Sequence, residues 1–140
     1  MKETKIDMKN NKNILQAALD YQSKGFSIIP VGSDKKPLIK WKEHQNKKAS
    51  PAEIEGWFKK YPFMNIAIIT GKISGVVAVD IEKGGSSEGY PPTVTAKSGG
   101  GGIHLFYKHP SYEVPNNARI RELTDIRGDG GYILLAPSVR

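Results

Sequence analysis

Two acidic residues at the end of an apolar segment have the types and spacing for metal chemistry. Residues 76–82 read VVAVDIE, so only Ile81 separates Asp80 from Glu82. Alternate side chains of a strand share a face, which would place these carboxylates roughly 6–7 Å apart. They repel unless a cation lies between them, and Mg²⁺ or Mn²⁺ prefers such oxygen ligands. Two ions can activate an attacking oxygen and stabilise a leaving pyrophosphate. The alternative is a solvated strand end.

A glycine-rich segment, KSGGGGIH at 97–104, is the second candidate. Successive glycines such as Gly99 and Gly100 let backbone N–H groups approach a phosphate closely. Lys97 adds a positive charge, Ser98 adds a donor, and the imidazole of His104 can hydrogen-bond the same phosphate. The segment lacks the pattern of a Walker loop or a dinucleotide fingerprint. By itself the segment fits a flexible hairpin connection with an ordinary strand histidine equally well, but the position of His104 in an otherwise apolar strand favours a functional role.

A third cluster, TDIRGDGGY, occupies residues 124–132. Asp125 could complete a three-carboxylate cage with Asp80 and Glu82. If the segment is extended, Arg127 shares the face of Asp125 and could bind a triphosphate or hold a carboxylate by paired hydrogen bonds. The alternative is a local surface ion pair, which contributes little to stability. Residues 129–131 read more simply as a tight turn.

Two helices and several strands are predicted to position these residues. The first helix is indicated by apolar residues at helical spacing and a glycine stop: Ile14, Ala17, Ala18, Tyr21 and Gly25. We expect residues 1–11 to be a polar, disordered lead-in. The second helix is indicated by Ser50, Pro51 and Glu53, which form a capping box with proline in the first turn. Strands are predicted at 26–31, 65–70, 76–82, 93–96, 103–108 and 132–136. This order predicts one α+β domain over residues 1–140.

Charge is distributed unevenly along the chain. The net charge is +7; residues 1–60 carry 13 lysines and 7 acidic groups, whereas 61–140 carry 8 basic and 7 acidic groups. A basic half beside a nearly neutral half suits a polyanion-binding face next to a carboxylate site. The alternative is a protein with many surface lysines. Zero cysteines exclude disulfides and thiolate metal sites, and no apolar stretch reaches the ~18–20 residues of a membrane span. We therefore expect a cytoplasmic location with no membrane partner.

Together these segments resemble a known family. From about residue 14 onward the chain is similar to the bifunctional primase-polymerase (prim-pol) N-terminal domain, within the archaeo-eukaryotic primase superfamily, of plasmid, phage and CRISPR-associated replication proteins. The resemblance rests on GF-x-IIPV at 25–31, KKP…W at 35–41, NIA with Thr70-Gly71, VVAVDIE, T-x-KSGGGGIH and DIRGDGGYILLAPS.

The resemblance implies a primase catalytic core built around an RRM-like, mainly antiparallel sheet with packed helices. It implies that two Mg²⁺ or Mn²⁺ ions are held by Asp80, Glu82 and Asp125. It implies that the triphosphate of an incoming dNTP or NTP contacts Lys97, Ser98, Gly99, Gly100, His104 and Arg127. DNA template and primer are the expected partners, and we assign template contacts and base stacking to Lys35, Lys36, Lys40 and Trp41.

Family members usually continue past the APS segment, often towards a helicase. We therefore expect that the C-terminal part of the family domain is missing here and that a helicase domain or protein is a partner. Two other functions remain open: a non-catalytic nucleic-acid-binding accessory module derived from the same fold, and a metal-dependent phosphodiesterase.

Overall fold

The computed structural model describes residues 2–98 and 100–138, with side chains from residue 13 onward. Within these ranges it has two α-helices, one short 3₁₀ helix at Lys42–Gln45 and eight strands. The α-helices are α1 (Lys2–Ser23) and α2 (Pro51–Lys60). The strands are β1 (Ile28–Val31), β2 (Asn65–Ile69), β3 (Val76–Ile81), β4 (Val94–Lys97), β5 (Ile103–Lys108), β6 (Asn117–Arg121), β7 (Thr124–Arg127) and β8 (Tyr132–Leu134).

The chain divides into two compact units. The first contains the residues up to Ile69 and the chain from Leu134 onward, and the second contains Thr70–Ile133. The strands form a three-stranded sheet in the order β1-β2-β8 and a five-stranded sheet in the order β4-β5-β3-β7-β6. Two helices with two sheets confirm the predicted α+β class.

The first helix packs through the apolar positions that the sequence pattern indicates. Ile14 and Ala18 are buried, and the hydroxyl of Tyr21 donates to the carbonyl oxygen of Ala136 over 3.0 Å. Gly25, at φ 94°, follows the end of α1 and turns the chain towards β1. The segment predicted as a lead-in, 1–11, lies in the first part of α1 apart from residue 1, which is outside the described residues.

The second helix begins with the predicted capping box. The hydroxyl of Ser50 accepts from the N–H of Glu53, and the Glu53 carboxylate accepts from the N–H of Ser50, both over 3.1 Å. Ile54 is fully buried, as are most side chains of β2. These two reciprocal bonds satisfy two backbone donors at the helix start, which fixes where α2 begins.

In the second unit every strand pair is antiparallel, and β3 lies at the centre between β5 and β7. Val79 and Ile81 point to one face of the sheet, where they form a core with Leu105. Because side chains alternate along β3, the residues between and beyond them face the other way. The central strand therefore has one apolar face and one face that is available for chemistry.

The hairpin of β6 and β7 is only partly predictable from the sequence. The sequence pattern leaves open whether 125–127 is extended and predicts no strand at β6. Glycine usually marks the positions of a hairpin that have positive φ. In this hairpin those positions are occupied by Arg119 and Leu123, both at φ 55°, so the sequence gives no such mark. The pairing register also shifts between Asn117 and Arg121, which removes simple alternation.

Among the described residues, none of the helices has the length and apolar character required to span a bilayer.

Candidate active site

Three polar side chains form a row across the centre of the five-stranded sheet. Asp80 on β3 is the direct cross-strand partner of His104 on β5 and of Asp125 on β7. Directly paired residues of neighbouring strands project to the same face with Cβ atoms about 5 Å apart. Ile81, the next residue, points to the apolar core. The structure thus brings together one residue from each of the three sequence clusters.

The row is partly shielded from solvent and closely spaced. The Nε2 atom of His104 lies 3.4 Å from Oδ1 of Asp80, and the side chain of His104 is only 8% exposed. The carboxylates of Asp80 and Asp125 are 23% and 15% exposed. Oδ1 of Asp125 accepts a hydrogen bond from the backbone N–H of Arg119 over 2.8 Å. These surroundings orient both carboxylates without closing them off from a ligand.

Arg127 reaches both carboxylates from the adjacent row of the sheet. Its cross-strand partner is the small residue Ala78. Its Nη2 atom lies 3.3 Å from Oδ2 of Asp125 and 3.6 Å from Oδ2 of Asp80. The guanidinium therefore balances two carboxylates that would otherwise repel each other.

Glu82 follows the end of β3 and has a different neighbour. Its backbone N–H donates to the carbonyl oxygen of Leu123 over 2.8 Å, and its side chain is about half exposed. Its Oε2 lies 3.7 Å from Nη1 of Arg119. Among the described side chains, those of residues 13–98 and 100–138, no three His, Asp or Glu are grouped so that they could hold a metal ion. Asp80 and Asp125 thus form a close pair of carboxylates, and Glu82, although near Asp80 in the sequence, has a different neighbour.

The glycine-rich turn packs against the end of β3. The N–H of Ser98 donates to the carbonyl oxygen of Gly102, and the N–H of Gly102 donates to the hydroxyl of Ser98, both over 2.9 Å. A Cβ atom at Gly102 would collide with the carbonyl oxygen of Ile81 and lie 3.1 Å from Cα of Glu82. Glycine is therefore needed here for close backbone approach, which sets the turn beside the acidic residues.

The other residues predicted for this turn differ in position. Lys97 pairs with Ile103, so the register assigns it to the face opposite His104. Gly100 is exposed, and Gly99 lies outside the described residues. Lys97 is consequently not part of the row, although it lies at the end of β4 where the turn begins.

Two basic residues near the site were missed by the sequence analysis. The side chain of Lys83 runs along the glycine-rich segment, since a Cβ atom at Gly101 would lie 3.1 Å from Cδ of Lys83. Arg119 donates to Asp125 through its backbone and lies near Glu82 through its side chain. The position of Lys83 directly after the acidic pair was a usable signal, whereas the bulge that places Arg119 left no trace in the sequence.

Asp129 is a further acidic residue whose carboxylate connects several loops by hydrogen bonds. Its carboxylate accepts from the N–H of Lys72 over 2.9 Å and from that of Val114 over 2.8 Å, and lies 2.9 Å from Nε2 of His109. Burial acts to raise the pKa of Asp129, but the hydrogen bonds from Val114 and Lys72 and the contact with His109 outweigh it and hold the pKa below its usual value. The predicted turn is therefore also a junction between loops near the end of β7.

The residues predicted to bind nucleic acid lie in the first unit. Lys35 and Lys36 are exposed in a tight loop closed by a 2.9 Å hydrogen bond from the N–H of Gly32 to the carbonyl oxygen of Lys36. Lys40 is exposed and Trp41 is half-buried just before the 3₁₀ helix. Within this unit they make a basic surface with one aromatic ring.

Comparison with known proteins agrees with the resemblance found in the sequence. The family model described as bifunctional DNA primase/polymerase, N-terminal, matches residues 18–140. No curated protein gives a significant match to the chain. The family match includes all three clusters that meet in the five-stranded sheet, and it spans most of the length. The chain therefore belongs to the family of bifunctional DNA primase/polymerase N-terminal domains.

Proposed function

We propose that this chain performs metal-dependent nucleotidyl transfer in DNA replication, in which a 3′-hydroxyl attacks the α-phosphate of a nucleotide and pyrophosphate leaves. The observation that carries the proposal is the row of His104, Asp80 and Asp125 across β5, β3 and β7. Family membership makes DNA and nucleotides the expected substrates. A cytoplasmic setting in plasmid, phage or mobile-element replication, and a helicase partner, remain predictions.

The carboxylates suit Mg²⁺ or Mn²⁺ in their chemistry. Asp80 and Asp125 offer hard oxygen ligands on one face of the sheet, and a cationic group already lies against both of them. We assign the metal to this pair; Glu82, which lies near Arg119, stays a predicted third ligand. When bound, the ions stabilise negative charge on the phosphates and lower the pKa of the attacking hydroxyl.

The residues around the pair would bind and orient the triphosphate. His104 can donate a hydrogen bond to a phosphate oxygen, and the glycine-rich turn, where Gly100 is exposed, lets a phosphate approach the backbone closely. Lys83, whose stem lies along Gly101, adds a positive charge beside this turn. Ser98 uses its hydroxyl oxygen to hold the turn, so its contribution is to the shape of the phosphate site.

The basic surface of the first unit would hold the DNA strands. Lys35, Lys36 and Lys40 are exposed cations that can neutralise phosphates, and the ring of Trp41 can stack on an unpaired base. Such contacts bind without reading sequence, as a template-directed enzyme requires.

A primer-extension assay with Mg²⁺ or Mn²⁺ tests the proposal. We expect Asp80→Asn and Asp125→Asn each to lower nucleotide incorporation at least about 100-fold, the factor given by roughly 2.7 kcal/mol of lost transition-state stabilisation. Glu113→Gln removes an exposed acid of the same unit and should leave the rate unchanged. Undiminished extension by the folded Asp80→Asn variant would refute the site.

One observation favours a different function, that of a non-catalytic DNA-binding accessory module. Glu82 lies near Arg119 instead of closing a three-carboxylate group. An accessory module would shift DNA in a gel with or without a divalent ion and would extend no primer. Metal-dependent nicking of the DNA in the same tubes would instead indicate a phosphodiesterase.

A further inference from the structure

Arg127 contacts the two carboxylates in an arrangement that is close but not tight. Its Nη2 atom is 3.3 Å from Asp125 and 3.6 Å from Asp80. Strong guanidinium–carboxylate hydrogen bonds are shorter, about 2.7–2.9 Å, and are often made by two nitrogens in parallel. Here the same nitrogen is near both acids and the side chain is about a third exposed. The pairing balances charge without using the full donor capacity of the guanidinium.

The backbone supplies the reason for this arrangement. The β3–β7 register places Asp80 directly opposite Asp125, so both carboxylates project from the same face of the sheet at close range. Ala78, the cross-strand partner of Arg127, has no side chain long enough to block the approach of the guanidinium. A fixed pair of like charges favours any cation that can reach it, and Arg127 is the cation that the fold supplies.

We propose that Arg127 is the internal counter-ion of the metal-free site, and that it exchanges carboxylate for phosphate when a divalent ion is bound. This inference rests on the proposed function of the same site. A divalent ion and the guanidinium would compete for Asp80 and Asp125, because both are cations that need these oxygens. Once released, the guanidinium is free to pair with the triphosphate of a nucleotide, for which its planar donors are well suited.

The exchange couples metal binding to nucleotide binding through one side chain. Without nucleotide, Arg127 lowers the affinity for metal because it occupies the carboxylates. With nucleotide, the guanidinium gains a phosphate partner, so its release costs less and the apparent metal affinity rises. Linkage requires the reciprocal effect, in which metal strengthens nucleotide binding by the same factor.

The test is the affinity for Mn²⁺, measured by the electron paramagnetic resonance signal of free Mn²⁺ with and without a non-hydrolysable deoxynucleoside triphosphate. We expect Arg127→Met to bind Mn²⁺ about three- to tenfold more tightly than the wild type in the absence of nucleotide. We also expect the gain in Mn²⁺ affinity on adding the nucleotide to be smaller in Arg127→Met than in the wild type.

Arg121→Met is the matched control because it removes the same charge from the same sheet. The guanidinium of Arg121 donates to the carbonyl oxygens of Ser86 and Glu88, both over 3.0 Å, and stacks on Tyr90. Its loss should change Mn²⁺ affinity less than twofold. Arg127→Lys keeps the positive charge but has fewer hydrogen-bond donors. Its affinity for Mn²⁺ should lie between those of the wild type and Arg127→Met, and it takes the place of Arg127→Met if that variant does not fold.

The possible results separate the two proposals. If the wild type binds Mn²⁺ and the folded Arg127 variants bind it no more tightly, the counter-ion role is wrong while the metal site stands. The same conclusion follows if the nucleotide-induced gain is equal in the wild type and in Arg127→Met. If Asp80→Asn binds Mn²⁺ as well as the wild type does, the site assignment itself fails.

Discussion

At the residue scale, His104 differs from an ordinary strand histidine in its neighbours. It is almost completely buried, lies opposite Asp80 and makes an edge contact with the ring of Phe106. If it donates to a phosphate, His104→Ala should raise the KM for nucleotide by roughly 10- to 100-fold, which corresponds to the loss of one hydrogen bond to a charged group. Steady-state extension kinetics measure this. His104→Gln, which retains a donor, should recover part of the loss, and an unchanged KM in His104→Ala would contradict the role.

The low pKa of Asp129 predicts a specific dependence of stability on pH. A carboxyl group whose pKa is lower in the folded state stabilises the fold above its unfolded pKa of about 3.9, and this contribution is lost as the pH falls through the folded pKa. Asp129→Asn should therefore lower the free energy of unfolding by about 1–2 kcal/mol at pH 7. Below about pH 4 the difference from the wild type should shrink.

Urea denaturation at pH 7 and near pH 3.5 measures this difference. Glu122→Gln, which removes an exposed carboxylate from the same unit, should have little effect at either pH. Equal destabilisation of the Asp129 variant at both values would mean that ionisation of Asp129 contributes nothing, and that the N–H groups of Lys72 and Val114 need only two acceptor oxygens, which asparagine lacks.

The sequence is informative about single residues where local periodicity decides their position. The alternation around Asp80 follows from the strand period of two, so its separation from the core residue Ile81 could be predicted. By contrast, the burial of His109 beside Asp129 arises from contacts between residues 20 positions apart. The position of Lys97 on the opposite face from His104 likewise depends on the pairing of β4 with β5, which local pattern does not give.

At the scale of elements, the contact between the glycine-rich turn and β3 is the feature most sensitive to a single methyl group. Gly102→Ala would force the turn away from the carbonyl oxygen of Ile81, a backbone atom that cannot move aside. We expect a loss of about 1–3 kcal/mol in stability, the range for an overpacked site, together with reduced incorporation because the turn no longer adjoins the acidic residues.

Gly56→Ala is a control for which we expect the opposite change in stability. This glycine lies within α2, and a Cβ atom there would meet nothing within 4 Å. Alanine should stabilise the helix by about 0.5–1 kcal/mol, because glycine is the poorer helix former. Thermal melts of both variants measure the pair of effects. A Gly102→Ala variant as stable and active as the wild type would show that the turn can shift freely.

Elements whose start or turn is marked by a short sequence pattern were predictable, and elements without such a pattern were not. The Ser50–Glu53 capping box is such a pattern, because four consecutive residues are enough to identify the start of α2. The β6–β7 hairpin has no such pattern because Arg119 and Leu123 take backbone conformations that usually mark glycine or asparagine. The missed hairpin matters for the site, since the backbone of β6 donates to Asp125.

At the scale of the whole molecule, the uneven charge predicts how DNA binding responds to salt. Each lysine that neutralises a phosphate adds about 0.7 to the slope of log K against log salt for single-stranded DNA. Replacing Lys35, Lys36 and Lys40 by alanine should therefore weaken binding and reduce the slope by up to about 2. Fluorescence anisotropy at several salt concentrations measures both.

Three lysines outside that loop, Lys24, Lys59 and Lys60, provide a control of equal charge. Their replacement should lower affinity only through the change in net charge and should alter the slope less. An equal reduction in both triple variants would mean that the positive charge acts diffusely and that the loop is not a defined binding surface.

The order of elements was sufficient to predict the α+β class, and the resemblance of several sequence motifs indicated the family, but neither shows how the strands are shared between sheets. The first unit is completed by contacts over long sequence distances, such as that between Tyr21 and Ala136. Pairings of this kind depend on tertiary packing, which no local window of sequence contains. The division of the strands into sheets of three and five therefore has no local signature in the sequence.

The return of the chain through β8 has a consequence for the order in which the protein can assemble during translation. Ile66 on β2 bonds with Leu135 over 3.0 Å and with the hydroxyl of Ser138 over 2.9 Å. The strand pairs of the sheet that carries Asp80 are all contained within residues 76–127. A ribosome therefore releases every strand of that sheet before it releases the residues that complete the first unit. During translation, β2 therefore gains the hydrogen bond from Ile66 to Ser138 only after 72 further residues have been added.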